Sequence, residues 1–392
     1  MMWGSESDYY QVGGSLDSNA SCYVERTADT QLLNSLSSGQ FCYVLNPRQS
    51  GKSSLSIKVA EQLTKQGVSC GFIDLMGIGF QDLTPQQFYG GLIFNLSQTL
   101  KLEDDYNFDC NQWLQNNNGH ERLPIEILKD FIDNVVLKAI ESNIVIFIDE
   151  IESVLRFNFS TIHLFEFIRD IYIKRSTVRE YRRLNFVLVG VTTPSDLVQS
   201  SLSSPFDLGQ LIELPGFTLE EARSLLPGLT GKVQNPQAVL EAILSWTNGQ
   251  PFLTQKLCYL VVNHGQSIQP QGEQQYVDDL VFNLIINNWH RQDNPPHFRT
   301  IQDIFLYEDR TLKERIKCYK KLLKNATIPF QNSLTHQKLI LSGLVAKSKS
   351  DRLVLYNRIY PLIFNIDWVK SYYKHKWQYV TRLFSAWRNS GS

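Results

Sequence analysis

The stretch Asn46-Pro-Arg-Gln-Ser-Gly-Lys-Ser-Ser54 holds the residue types that bind phosphate, in the order such binding needs. An apolar run, Phe41 to Leu45, feeds straight into it, and a helical pattern follows. A strand that stops at a tight turn before a helix leaves several backbone N–H groups aimed at one spot, where the positive helix end adds to their pull on an anion. Gly51 lets the backbone approach without a Cβ in the way. The ammonium of Lys52 would reach outer phosphates, and the hydroxyl of Ser53 would take one position on Mg²⁺. With Asn46, Pro47, Arg48, Gln49, Ser50 and Ser54 as the rest of the cradle, the stretch describes a nucleoside triphosphate site. The general pattern G-x-x-x-x-G-K-[ST] opens on Gly, where this chain has Asn46. Asn tolerates left-handed backbone angles better than most residues, so the turn survives with it.

A second motif lies further along. Asn143-Ile-Val-Ile-Phe-Ile148 is a short apolar, β-branched run of the kind that forms a buried parallel strand, and it ends in Asp149-Glu150. Two carboxylates at a strand end, after a phosphate-binding loop, suit a metal and an attacking water. Asp149 is assigned to the metal with Ser53, and Glu150 to water activation. Glu152 reads instead as an acidic residue opening the next helix, where it would meet the positive helix end.

These side chains must be positioned by the elements around them. From Phe41 to about Ile212 the sequence alternates strands (Phe41 to Leu45, Ser69 to Asp74, Asn143 to Asp149, Leu184 to Val191, Leu211 to Leu214) with helical spacing (Lys52 to Gln66, Pro85 to Leu100, Pro124 to Glu141, Thr161 to Arg175). Such alternation predicts an α/β fold, a mostly parallel sheet covered by helices on both faces. Leu102 to Leu123, polar and Asn-rich, reads as an exposed insertion. After Pro215-Gly216 the pattern turns helical, opened by the capping box Thr218-Leu-Glu-Glu221. The turn-rich segment His290 to His297 marks a boundary. Beyond it, helical stretches at His297 to Leu306, Thr311 to Lys324 and Ser333 to Ser342 precede two short strands between Gly343 and Tyr356, the pattern of a winged helix.

Composition narrows the class. A 392-residue chain, 43% hydrophobic and 20% charged, is that of a folded protein of two or three domains. The polar, acidic start does not resemble a signal peptide, and no apolar run reaches the length of a membrane span, so a cytoplasmic protein is expected. Cys22, Cys42, Cys70, Cys110, Cys258 and Cys318 form no C-x-x-C pair and read as reduced packing residues, with neither a zinc site nor a disulfide framework. Charge is uneven: residues 311–392 carry 16 Lys and Arg against 3 Asp and Glu, the remainder 22 against 36. That asymmetry points to an anionic partner, whether nucleic acid, a membrane surface or an acidic protein face.

The chain resembles the AAA-like nucleotide-binding proteins of bacteria, within the STAND class of signal-transduction ATPases. The resemblance rests on Tyr10-Gln-Val-Gly-Gly-Ser15, Tyr23-Val-Glu-Arg26 with Asp29, Asn46 to Ser54, Ile73-Asp74-Leu75 and Ile148-Asp149-Glu150. It continues through Tyr181-Arg-Arg-Leu184, Gly190 to Leu197, Thr247-Asn-Gly-Gln-Pro-Phe252 and Asn357-Arg-Ile-Tyr360 with Phe364-Asn365. Asn at position 46 is usual in such relatives. The resemblance implies an entry segment (1–40), a P-loop nucleotide-binding domain (41–214), a helical lid (215–290) and a basic winged helix with a C-terminal helical extension (291–392). It implies an ATP-operated switch with Mg²⁺ and slow hydrolysis, closed with ADP and open, often as a homo-oligomer, with ATP. Tyr23 to Arg26 would flank the adenine, and Pro251 of Gly249-Gln250-Pro251 would lie near the base. Thr192 and Thr193 match the position that reads the γ-phosphate, with helix capping ahead of Pro194 as the plainer alternative.

Arg169, Arg175, Arg179, Arg182 and Arg183 are candidates for an arginine finger, most of such a basic run being usually a solvated face. Relatives commonly carry a sensing or effector module after the segment resembling Trp377 to Trp387, which implies an effector or sensor partner or a longer parent chain. A second reading is a DNA-binding ATPase resembling origin-recognition or transposition regulators, with nucleic acid held by residues 311–392. Lys370, Lys374, Lys376, Arg382 and Arg388 are interleaved there with Trp368, Tyr372, Tyr373, Trp377 and Trp387. The alternative is that these aromatics form the core face of the last helices.

Overall fold

Residue alternation along one central strand fixes the layers. In the computed structural model, which describes residues 9–79, 82–117, 122–198, 204–264, 268 and 271–372, Ile144, Ile146 and Ile148 face one core while Val145 and Phe147 face another. Both faces are apolar, so the strand must be covered on both sides. Five strands form the sheet: β1 (Cys42–Leu45), β2 (Ser69–Asp74), β3 (Ile144–Asp149), β4 (Leu184–Gly190) and β5 (Gln210–Leu211). All pairings are parallel, in the order β2-β3-β4-β1-β5. Helices Thr27–Ser37 and Lys52–Lys65 cover one face; Pro85–Thr99, Pro124–Phe131 and Ile162–Lys174 cover the other. Register places Leu45 beside Gly190 and Asp74 beside Asp149, so the strands end in one row.

Two segments depart from the sequence reading. The expected insertion at 102–123 contains helices Leu102–Tyr106 and Cys110–Asn117, with Leu102 and Cys110 buried. Phe108 and Trp113 pack their rings on Phe131, at 5.7 and 5.5 Å between centroids. Four apolar residues scattered among asparagines suffice to hold the segment on the core. The last strand is shorter than expected. Ile212 still donates to the Tyr43 carbonyl at 2.9 Å, but Leu214 donates to the side chain of Asn46 at 3.2 Å, so a side chain replaces the backbone ladder.

The described residues divide into two compact units, 14–215 and 9–13 with 216–372. The second takes in both the segment 215–290 and the residues after it. Its capping box forms as expected: Glu221 N–H donates to the Thr218 hydroxyl at 3.3 Å and Thr218 N–H to the Glu221 carboxylate at 2.8 Å. Helices Pro236–Thr247, Pro251–Asn263 and Glu273–Leu280 follow, then Phe298–Phe305, Leu312–Asn325 and Leu334–Leu341. The two expected strands, β7 (Val345–Lys347) and β8 (Arg352–Leu355), pair antiparallel, and an unexpected β6 (Thr327–Pro329) adds to the other edge of β8.

The turn-rich segment before this part is a buried capping device. Asp293, 4% exposed, accepts the N–H groups of His297, Phe298 and Arg299 at 2.8, 3.0 and 2.8 Å. Further on, buried Arg315 pairs with Asp309 at 3.4 Å, and Lys338 reaches the same carboxylate at 2.7 Å. Burial alone would raise the Asp309 pKa, but hydrogen bonds from Lys338 and Thr311 and the Arg315 charge outweigh it and hold it at about 2. Trp368 is half-buried and lies against the buried rings of Phe364 and Phe305, at 4.9 and 5.9 Å. Tyr373, Lys374, Lys376, Trp377, Arg382, Trp387 and Arg388 lie outside the described residues. All six cysteines are free. Among the described residues no helix is long and apolar enough to cross a membrane.

His297 gives this unit a pH dependence. It is 2% exposed, stacks on Phe252 and shares a 3.0 Å hydrogen bond with Tyr360, and burial, aided by the Lys256 charge, pushes its pKa down to about 3. The unfolded chain takes up this proton as pH falls below about 6.5 while the native state refuses it, so stability is lost on acidification from that point toward pH 3. Between pH 7 and pH 5 the loss from this group should be on the order of 1–2 kcal/mol. Urea unfolding of wild type and His297→Gln at both pH values should show a flatter pH dependence in the variant, and equal slopes would contradict it.

Candidate functional site

The loop after β1 is shaped by two residues at positive φ, Gln49 at 57° and Gly51 at 86°. A Cβ on Gly51 would lie 3.0 Å from a guanidinium nitrogen of Arg26, so both conformation and space call for glycine. The first turn of helix Lys52–Lys65 leaves N–H groups without intrahelical acceptors. Lys52 is 8% exposed and its ammonium donates to the Pro47 carbonyl at 3.0 Å. Burial lowers its pKa, opposed by the charges of Glu152, Asp149 and Glu150, which keep an ammonium there in company.

Asn46 has a different role from the one expected. It is not among the residues at positive φ. Its side chain instead donates to the Ile212 carbonyl at 3.3 Å and accepts the Leu214 N–H at 3.2 Å, clamping the loop to the chain that leaves β5. Gly cannot make either bond.

The two motifs meet. Ser53 donates its hydroxyl hydrogen bond to Asp149 at 2.7 Å. Arg48 lies 3.4 Å from the Glu150 carboxylate and 3.8 Å from that of Glu152. Burial and the neighbouring Glu152 charge push the Glu150 pKa up to about 7, with Arg48 pulling the other way. Glu150 itself is held at a φ of 53°, its N–H on the Asp149 carboxylate at 2.8 Å. Glu152, read from sequence as a helix opener, belongs to this cluster. Its carboxylate accepts the N–H of Val191, just past β4, at 2.9 Å, and a Cβ on Gly190 would overlap it. Nothing in the local pattern announces that contact, since its partners lie on another strand and another loop.

The entry segment is tied to the same loop. Arg26, 4% exposed, donates to the Ser50 carbonyl at 3.0 Å. Asp29 accepts the Arg26 N–H at 2.9 Å and the Tyr23 hydroxyl. Burial, with Asp29 adding to it, raises the Tyr23 pKa, so the phenol stays protonated. Ser54 accepts the Leu16 N–H at 3.0 Å, whereas the buried Ser50 Oγ has no hydrogen-bond partner among the described residues.

Thr192 and Thr193 follow β4 and are 4% and 2% exposed. The Thr193 hydroxyl accepts the Asp196 N–H at 3.1 Å, capping Pro194–Leu197. Gly249, at a φ of 71°, packs its backbone against Phe217, and Gln250 caps the helix that Pro251 opens. Pro251 lies in the second unit. Among the arginines, Arg175 donates to the carbonyls of Gly39, Tyr181 and Leu184, and Arg183 to those of Leu137, Ile140 and Ser142. Both are structural anchors rather than solvated charges. Arg169 is likewise bound to the Ser204 carbonyl at 2.6 Å, and Arg182 to that of Arg175 at 2.8 Å.

A parallel sheet in this order, with a Gly-Lys-Ser loop after one strand and an acidic pair after another, defines a P-loop ATPase fold. The chain belongs to the AAA-like domain family, whose model matches residues 11–365. An uncharacterized WD repeat-containing protein of Synechocystis sp. is 41% identical over 391 residues, covering 98% of this chain and 32% of that protein. The chain thus spans about a third of the length of that curated relative. The Walker-type ATPase PABY2304 of Pyrococcus abyssi has the same fold, with a TM-score of 0.54 at 14% identity over 89% of this chain and 98% of that one. The ORC2 protein of Aeropyrum pernix gives 0.49 at 16% identity over 94% and 96%.

The residues present fit the magnesium nucleotide this fold implies. Ser53 and Asp149 offer a hydroxyl and a carboxylate oxygen side by side, a hard-cation donor set. The buried Ser50 hydroxyl is left for a ligand or water.

Replacing Asn46 by Gly, which restores the general loop pattern, should destabilise the protein by about 1–2 kcal/mol through the two lost hydrogen bonds and added chain entropy. Chemical denaturation of Asn46→Gly checks this, and a neutral or stabilising result would contradict the clamp.

Proposed function

We propose that this chain is an ATP-binding, slowly hydrolysing regulatory switch of the STAND type, closed with ADP and open or oligomeric with ATP. The observation that carries the reading is the meeting of Lys52, Ser53, Asp149 and Glu150 at the ends of β1 and β3. In this account Lys52 and the N–H groups of Gln49 to Ser54 bind phosphate, while Ser53 and Asp149 hold Mg²⁺. The metal, when bound, neutralises charge on the phosphates. Glu150 accepts a proton from the attacking water. Arg26 supports the loop from beneath while Tyr23 to Arg26 flank the base, and Thr192 and Thr193 report on the outermost phosphate. The switch can be biased only by the difference in affinity of its two states for each nucleotide.

Support for a second reading, DNA binding through a winged helix, comes from one feature. Lys317, Lys320, Lys321 and Lys324 share an open face of helix Leu312–Asn325. Their spacing puts four ammonium groups on one helix face, a surface suited to phosphodiester. The contacts of Trp368 with Phe364 and Phe305 weaken the base-stacking part of that reading.

Calorimetry should show ATP binding by wild type and none by Lys52→Ala. Glu150→Gln should keep binding and lower turnover by roughly 10²-fold or more. Unchanged ATP affinity in Lys52→Ala would refute the site. For the second reading, a mobility shift on duplex DNA should weaken with salt and with alanine at the four lysines; no shift at low salt would eliminate it.

A further inference from the structure

Arg48 stands on the phosphate-binding loop, one residue before the left-handed Gln49, yet its guanidinium is turned to two carboxylates, 3.4 Å from Glu150 and 3.8 Å from Glu152. It stands four residues before Lys52 on the same loop, beside the place proposed above for the outer phosphates. Of the two carboxylates, Glu152 is the fixed one. It is 13% exposed against 30% for Glu150, and it is pinned by the Val191 N–H at 2.9 Å in a seat that only a glycine at 190 leaves open. Arg48, at 39% exposed, meets both carboxylates through one guanidinium nitrogen, with no paired contact to either.

We propose that Arg48 and Glu152 set the preference of this loop for a nucleoside triphosphate over a diphosphate. Without a terminal phosphate, Glu152 and Glu150 hold Arg48 through one nitrogen; a terminal phosphate draws Arg48 away, because a guanidinium binds phosphate oxygens in pairs and more strongly than through a single long contact. Departure of Arg48 then leaves Glu150 free to take up a water. Glu152 acts through Arg48 and is a positioning residue, and Arg48 is the discriminating one. This rests on the nucleotide-binding reading given above.

The test is calorimetric binding, with Mg²⁺, of ADP and of a non-hydrolysable ATP analogue to wild type, Arg48→Ala, Arg48→Lys and Glu152→Gln. The quantity read is the ratio of the two dissociation constants. Arg48→Ala should reduce the preference for the triphosphate by about fivefold or more, the loss of one charge-assisted contact. Glu152→Gln should increase it by about threefold, since Gln keeps an acceptor for Val191 but drops the charge that holds Arg48. Arg48→Lys, which keeps the charge without the paired donors, should fall between wild type and Arg48→Ala. A purely structural role would move both affinities together and leave the ratio alone. Ratios within about twofold of wild type in the folded variants, or shifts of Arg48→Ala and Glu152→Gln in the same direction, would overturn the proposal. Should Glu152→Gln not fold, the ordering of the two Arg48 variants decides it. Wild type binding neither nucleotide would instead refute the nucleotide site itself.

Discussion

The register of four parallel strands is the constraint on which the rest depends. Because Leu45 pairs with Gly190, Ile148 with Leu188 and Asp74 with Asp149, the strands all terminate in one row, and whatever follows each of them is delivered to the same edge. The phosphate loop follows β1, the acidic pair follows β3, and the threonines follow β4. The Ser53–Asp149 hydrogen bond at 2.7 Å is the direct product of that register. A slip of one residue in β3 would turn its whole side-chain set over, exchanging the two cores and carrying Asp149 away from the loop.

Charge at this edge is balanced on small margins. Arg48 reaches Glu150 at 3.4 Å and the more buried Glu152 at 3.8 Å through a single nitrogen, whereas a guanidinium can meet phosphate oxygens through two. The weaker contact yields to the stronger, so an incoming anion can rearrange the cluster without disturbing the strands beneath it. Buried Lys52 differs, held by its 3.0 Å bond to Pro47 and by three carboxylate charges.

Much of this was legible in the sequence, for a physical reason. Short apolar runs bounded by turn residues, and a Gly-Lys-Ser loop between strand and helix, are local signals, and the strands, covering helices and both motifs follow from them. What was not legible depends on partners distant in sequence. Asn46 looked like a substitute for a turn glycine, but its side chain serves Ile212 and Leu214. Glu152 looked like a helix opener because nothing nearby reveals Arg48 or Val191. Arg175 and Arg183 looked like part of a solvated run, yet each gathers carbonyls from several segments. The 102–123 segment reads as an exposed insertion and most of its described residues are exposed, but its polar majority hides the two helices and the few apolar residues that dock it.

Under the proposed switch, nucleotide bound at this edge changes the state of the protein. The mass of the particle by light scattering, with ADP and then with a non-hydrolysable ATP analogue and Mg²⁺, tests that most directly. The account predicts a larger assembly with the analogue than with ADP. An identical mass with both, under conditions where calorimetry shows both bound, would contradict it.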